Sequence, residues 1–228
     1  MIRIQRNIPD GRLKLLVFDL DGTLIDSRLD LVHSVNAMLR HFGRHELSDD
    51  LISTYIGDGA PMLVRRALGD PDDDPMVKDA LTFFIAYYRE HKLDNTRLFA
   101  GVAEAIAALS KREPKAQMAV LSNKPVAPSR QIVEALGLAP TFVRVYGGNS
   151  FPTKKPDPMG LESLMKELQV SPEETVMVGD SQVDVFTGRN ANTWTVGVTF
   201  GFQPHSLEDA PPDVLVDTPS EMAQVLGG

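Results

Sequence analysis

The chain has 228 residues, no cysteine, 43% hydrophobic and 24% charged residues, and a formal net charge of −8 from 31 acidic and 23 basic side chains. The missing thiols exclude disulfides, cysteine-ligated zinc and a cysteine nucleophile. The acidic balance argues against nucleic acid or an anionic membrane as the main partner. No apolar stretch of signal-peptide or membrane-span length is present, so a cytoplasmic protein is expected.

In chain order, Leu13 to Phe18 is a short apolar run that stops at Asp19, the pattern of a buried strand. Leu31, Val32, Val35, Met38, Leu39 and Phe42 recur at helical spacing, and Gly43 closes the run. Helices are predicted over Met62–Leu68 and about Met76–Lys92, the second with Val77, Leu81, Phe84, Ile85 and Tyr88 on one face, where core packing is the simplest reading. Between Ser27 and about Asn95 no strand is predicted. Pro71 to Pro75, with Asp72, Asp73 and Asp74, reads as a solvated loop.

Beyond Asn95 the pattern alternates. Helices are predicted over Val102–Leu109, Pro128–Leu136, Pro158–Leu168 and Gln182–Arg189. Strands are predicted over Gln117–Leu121, Phe142–Tyr146, Thr175–Val178, Thr195–Val198 and Val214–Val216. Strand–helix alternation implies a doubly wound, Rossmann-like α/β core around a parallel sheet. The helical block then reads as an inserted cap, residues 27–95, between core segments 1–26 and 96–228.

Open parallel sheets bind ligands beyond the carboxyl ends of their strands. Three predicted strands end in polar clusters: Asp19-Leu20-Asp21-Gly22-Thr23, Ser122-Asn123-Lys124, and Gly179-Asp180-Ser181 with Asp184 behind. Lys154-Lys155-Pro156-Asp157-Pro158 precedes a helix. Brought together, these acids repel one another unless a cation sits among them. Hard carboxylate oxygens select Mg²⁺, with Mn²⁺ nearly as suitable. A phosphate fits beside such an ion and a lysine. Asp19 would attack phosphorus, and Asp21 would protonate the leaving alcohol. Thr23, Ser122 and backbone amides would hold phosphate oxygens, and Lys155 would offset charge in the transition state.

FDLDGTLIDS, LSNK, KKPDP and GDSQVD resemble, in that order, the four motifs of haloacid-dehalogenase-type phosphatases. The resemblance implies Asp19 as nucleophile and Asp21 as acid/base. It implies a metal held by the Asp19 carboxylate, the Asp21 carbonyl and Asp180, with Asp184 behind or as an occasional ligand. Ser122, Asn123 and Lys155 would bind phosphate. TYIGDGAPMLVRRAL, with Gly57, Asp58 and Gly59, resembles the substrate loop of the phosphoglycolate phosphatases in that family; it implies 2-phosphoglycolate as substrate, with Arg65 or Arg66 as a further contact. The chain departs from the pattern at Ala100, Asp157 and Asn192, and Asp157 would set an extra carboxylate near Lys155. A phosphosugar mutase, a broad-specificity phosphatase or pyrophosphatase, and a non-enzymatic phospho-accepting receiver domain remain as alternatives.

Overall fold

The computed structural model describes residues 1–72, 74–112 and 116–227. Its elements are β1 (Arg3–Ile4), β2 (Leu15–Phe18), β3 (Ile25–Asp26), α1 (Arg28–His41), α2 (Asp49–Ser53), α3 (Ala60–Ala67), α4 (Asp74–His91), β4 (Arg97–Leu98) and α5 (Val102–Ser110). Then follow β5 (Gln117–Leu121), α6 (Val126–Ala135), β6 (Arg144–Tyr146), α7 (Met159–Leu168), β7 (Thr175–Gly179), α8 (Gln182–Asn190), β8 (Trp194–Val198), α9 (Ser206–Asp209), β9 (Val214–Val216) and α10 (Pro219–Gly227).

Seven of these strands form one sheet in the order β1-β9-β8-β7-β2-β5-β6, parallel except for the β1–β9 edge. All four residues of β2 are buried because the strand is covered on both faces. Alternate residues serve opposite cores. Leu16 and Phe18 pack with Val102, Ile106 and Leu109 of α5 and Met222 of α10, whereas Leu15 and Val17 pack with Leu161 and Leu164 of α7. Each such side chain, fully removed from water, stabilises the fold by about 1.5–3 kcal/mol. This is the expected α/β core with one added antiparallel edge.

Helices α1 to α4 gather around a cluster of their own. It contains Val35 and Met38 of α1, Ile52 of α2, Leu63 and Val64 of α3, and Phe84 and Tyr88 of α4. The chain passes into and out of this helical insert across a two-stranded stem, β3 paired antiparallel with β4. Just inside the stem, buried Asp30 accepts hydrogen bonds from Asn95 N at 2.9 Å, Thr96 N at 2.8 Å and Thr96 Oγ1 at 2.7 Å. One carboxylate thereby ties the entering helix to the departing strand.

Helix α4 starts at Asp74, two residues before the predicted start, so Asp74 is helical and not part of a loop. Asp73, also assigned to that loop, lies outside the described residues. The stem strands, β1, α2, α9 and α10 are additions to the predicted elements.

Candidate functional site

Backbone register assembles the site. Phe18 lies opposite Val120 of β5 on one side and Val178 of β7 on the other. The residues that follow each strand therefore leave the sheet together: Asp19 and Asp21 after β2, Ser122 to Lys124 after β5, and Asp180 after β7. Close approach then demands glycine at two points. Gly22 has φ +86°, and a Cβ there would lie 2.2 Å from Asp180 Oδ2. At Gly179 a Cβ would lie 2.1 Å from Asp184 Cγ.

The first group is an acidic corner. Asp19, Asp180 and Asp184 are all buried and each offers a carboxylate oxygen within 4.8 Å of the others. Lys155 Nζ donates to Asp19 Oδ1 at 2.7 Å and to Asp184 Oδ1 at 2.6 Å. Asp184 Oδ2 is held by Ser181 Oγ at 2.8 Å. Asp180 Oδ2 accepts from the Phe202 and Gln203 amides at 2.7 and 3.2 Å. Burial, opposed by Lys155 and reinforced by Asp184, pushes the Asp19 carboxyl up to about 6. Burial, with Asp184 and Asp19 adding to it, pushes Asp180 up to about 8. Burial also works against the Lys155 ammonium, but Asp184 and Asp19 outweigh it and hold its pKa above the ordinary lysine value.

One lysine thus faces three buried carboxylates, a charge deficit that a divalent cation would fill. These residues also border a cavity of about 10 Å³, the space of a single ion or water. The donor set is all oxygen, which suits a hard metal ion. The three clustered carboxylates are Asp19, Asp180 and Asp184, which include the two expected carboxylate ligands and the expected occasional one; Asp21 is expected to contribute its backbone carbonyl. Asp21 turns its side chain elsewhere.

That side chain belongs to a second group. Asp21 Oδ1 accepts from Ser27 Oγ at 2.5 Å, and Lys124 Nζ spans both oxygens at 2.8 and 2.9 Å. Burial opposes the Lys124 charge, yet Asp21 more than compensates and its pKa is raised. The ammonium also lies 4.7 Å from the ring centre of Tyr88, a cation–π contact supplied by the insert. Lys124 stands in the LSNK motif, which by itself assigns it no role. The signal available was its place in a strand-end cluster.

Between sheet edge and insert lies a cavity of about 390 Å³. Its walls include Asp19, Asp21, Ser122, Asn123 and Lys124 from the core, and Gly57, Gly59, Leu63, Phe84 and Tyr88 from the insert. The loop before α3 touches the core directly. Asn123 Nδ2 donates to Gly57 O at 3.1 Å, and Gln203 Nε2 donates to Thr54 O at 3.3 Å and to Ile56 O. Lys154 Nζ donates to Asp58 O.

Other predicted residues lie differently. The Asp58 side chain pairs with Arg66 at 2.6 Å, and Arg65 pairs with Asp70 at 2.6 Å, so both arginines are engaged by acids of the insert. Thr23 is fully buried and its hydroxyl finds no partner among the described residues; it lines neither of the two cavities. Asp157 makes no ion pair with Lys155 among the described residues, since the lysine is engaged by Asp19 and Asp184. The Asp157 Oδ1 accepts from Met159 N at 2.9 Å, capping α7. Asn192 adopts φ +57°, a left-handed conformation that asparagine tolerates in place of glycine.

The sequence from residue 16 to residue 198 matches the family of haloacid dehalogenase-like hydrolases. The chain belongs to that family. A phosphoglycolate phosphatase of Photobacterium profundum is 36% identical over 223 residues, covering 94% of this chain and 96% of the relative. One from Chromobacterium violaceum is 34% identical over 218 residues, with 94% and 96% covered. Among solved structures, that of a predicted phosphoglycolate phosphatase from Haemophilus somnus superimposes with a TM-score of 0.88 at 31% identity, over 95% of this chain and 99% of the other. As a haloacid dehalogenase-like hydrolase with these relatives, the chain is a phosphoric monoester hydrolase. That excludes the receiver-domain alternative. Metal dependence is general among phosphatases of the family, and the acidic corner is where this member would hold the ion.

Proposed function

We propose that the enzyme hydrolyses small phosphate monoesters with Mg²⁺, and 2-phosphoglycolate above all. The observation that carries this reading is the pairing of two carboxylates with separate environments at one cavity: Asp19 beside Lys155 in the acidic corner, and Asp21 beside Lys124 across from it. The substrate assignment draws on the loop Gly57–Gly59 and on the names of the relatives.

Asp19 is the nucleophile. Lys155 fixes its Oδ1, which leaves the other oxygen to bond to phosphorus while the bond from phosphorus to the glycolate oxygen breaks. Asp21 gives its proton to that departing oxygen. It then takes a proton from the water that attacks phosphorus, and the Asp19–phosphorus bond breaks to release phosphate. Ser27 and Lys124 hold Asp21 in place through both steps. Ser122 through its hydroxyl and Asn123 through its backbone amide bind phosphate oxygens at the cavity wall, together with Lys155 from the acidic corner; the Asn123 Nδ2 is already given to the Gly57 and Lys155 carbonyls. Asp19, Asp180 and Asp184, with the Asp21 carbonyl as a further donor, would hold Mg²⁺, which when bound would supply charge neutralisation for the phosphoryl group. The insert closes over the site as a lid and excludes water.

The cavity is roomier than a two-carbon acid requires, which favours a second reading: the same chemistry on a broader set of monoesters. Phosphate release from 2-phosphoglycolate, phosphosugars and pyrophosphate, compared between wild type and Asp19→Asn, separates these readings. Strong preference for 2-phosphoglycolate, lost in Asp19→Asn, is the expected result. Broad weak activity would remove the substrate claim. Activity surviving in Asp19→Asn would sink the nucleophile assignment.

A further inference from the structure

Tyr88 is an aromatic residue of the insert that borders the site. It sits on α4, stacked on Phe84 with ring centres 5.9 Å apart, and it forms part of the wall of the large cavity. The ring covers Lys124, the partner of Asp21. The phenol oxygen, though, is buried and its proton finds no acceptor among the described residues; the Lys124 ammonium beside it is itself a donor. A buried hydroxyl without a partner is costly, and native structures keep few of them. Where one survives at the wall of a binding cavity, its partner is expected to arrive with the ligand. Burial also pushes the phenol up to about 12, so at neutral pH the group is an uncharged donor.

On the core side of the cavity, Asn123 leaves its Oδ1 without a partner among the described residues while its Nδ2 is used twice, by Gly57 O at 3.1 Å and Lys155 O at 3.0 Å. Asn123 is therefore oriented by backbone contacts on the phosphate side. Tyr88 offers its donor from the insert, with apolar neighbours Leu63 and Phe84 on the same wall. A polar group there, set among apolar ones, discriminates by what it leaves unsatisfied when the wrong ligand binds.

Resting on the phosphatase reading above, we propose that Tyr88 is a specificity-determining residue: its hydroxyl donates a hydrogen bond to the polar end of the substrate remote from the phosphate, the carboxylate in 2-phosphoglycolate. A substrate with a methyl group in place of that carboxylate leaves the phenol as it is in the free enzyme. A carboxylate satisfies it.

The test compares wild type and Tyr88→Phe on 2-phosphoglycolate and on ethyl phosphate, which has the same length and no carboxylate. Thermal melting of both proteins without ligand is measured alongside. Tyr88→Phe is expected to lose about tenfold or more in kcat/KM on 2-phosphoglycolate and less than about twofold on ethyl phosphate. Its melting temperature is expected to stay level or rise, because only an unsatisfied hydroxyl is removed. Equal losses on both substrates, no loss on either, or a clear fall in melting temperature would each overturn the assignment. If wild type itself shows no preference for 2-phosphoglycolate over ethyl phosphate, the substrate reading fails, and the carboxylate is removed as the partner of Tyr88 along with it.

Discussion

Lys124 lies 103 positions from Asp21 in the chain, yet its ammonium spans both oxygens of that carboxylate at 2.8 and 2.9 Å. The pair is nearly dry, with side-chain exposures of 5% and 12%. Removing one partner of such a pair strands the other charge, which typically costs about 3–5 kcal/mol. Lys124→Met is expected to lower the melting temperature and to reduce kcat by about a hundredfold, because Asp21 loses its fixed orientation. Adding Asp21→Asn should restore most of the stability and none of the activity. Differential scanning calorimetry of the two variants decides this, and an unchanged melting temperature in Lys124→Met would count against it.

The acidic corner predicts a specific response to metal. In metal-free protein Asp180 is raised from 3.8 to about 8. The folded state therefore holds a proton that the unfolded chain releases, and stability falls as pH rises from about 4 through about 8. Metal-free wild type should lose melting temperature over that range more steeply than metal-free Asp180→Asn. Adding Mg²⁺ at pH 8 should raise the melting temperature of wild type and leave that of Asp180→Asn almost unmoved. Parallel pH profiles for the two proteins would contradict this.

Gly59 sets the approach of the insert loop to the core. It has φ +85°, and a Cβ there would meet Asn123 O at 3.1 Å. Gly59→Val adds backbone strain of about 1–3 kcal/mol and pushes the loop from Asn123. We expect kcat/KM on 2-phosphoglycolate to fall at least tenfold, with faster hydrogen exchange confined to the loop before α3. Wild-type kinetics in this variant would show that the loop does not contribute.

Asp30 predicts a stability defect away from the chemistry. Truncation to alanine leaves the half-buried Asn95 and buried Thr96 donors without their acceptor. The loss should be about 3 kcal/mol, or roughly 6–12 °C in melting temperature for a chain of this size. Residual kcat, assayed well below the transition, should remain within a few-fold of wild type.

Asp19, Asp180 and Lys155 could be read from sequence because each sits beside a strand end or helix start, where local pattern and position on the sheet coincide. Lys124 could be seen but not understood, since its partner is set by the register of β2 against β5. Tyr88 falls on the apolar face of α4 and indeed packs in the insert cluster. Helical periodicity identifies that face but cannot say which rim of it borders the cavity. Strands β3 and β4, two residues each, are too short for any periodicity to show. For Asp157, adjacency to Lys155 in sequence does not give the partner: its carboxylate accepts from the start of α7.

The insert keeps its own apolar cluster and is joined to the sheet through a short stem. Mutations inside it therefore leave the packing of β2, β5 and β7 untouched. Recognition and bond-breaking can drift at different rates in descendants of this chain. A lineage can trade one helical insert for another and test a new substrate while the aspartates at the strand ends continue unchanged.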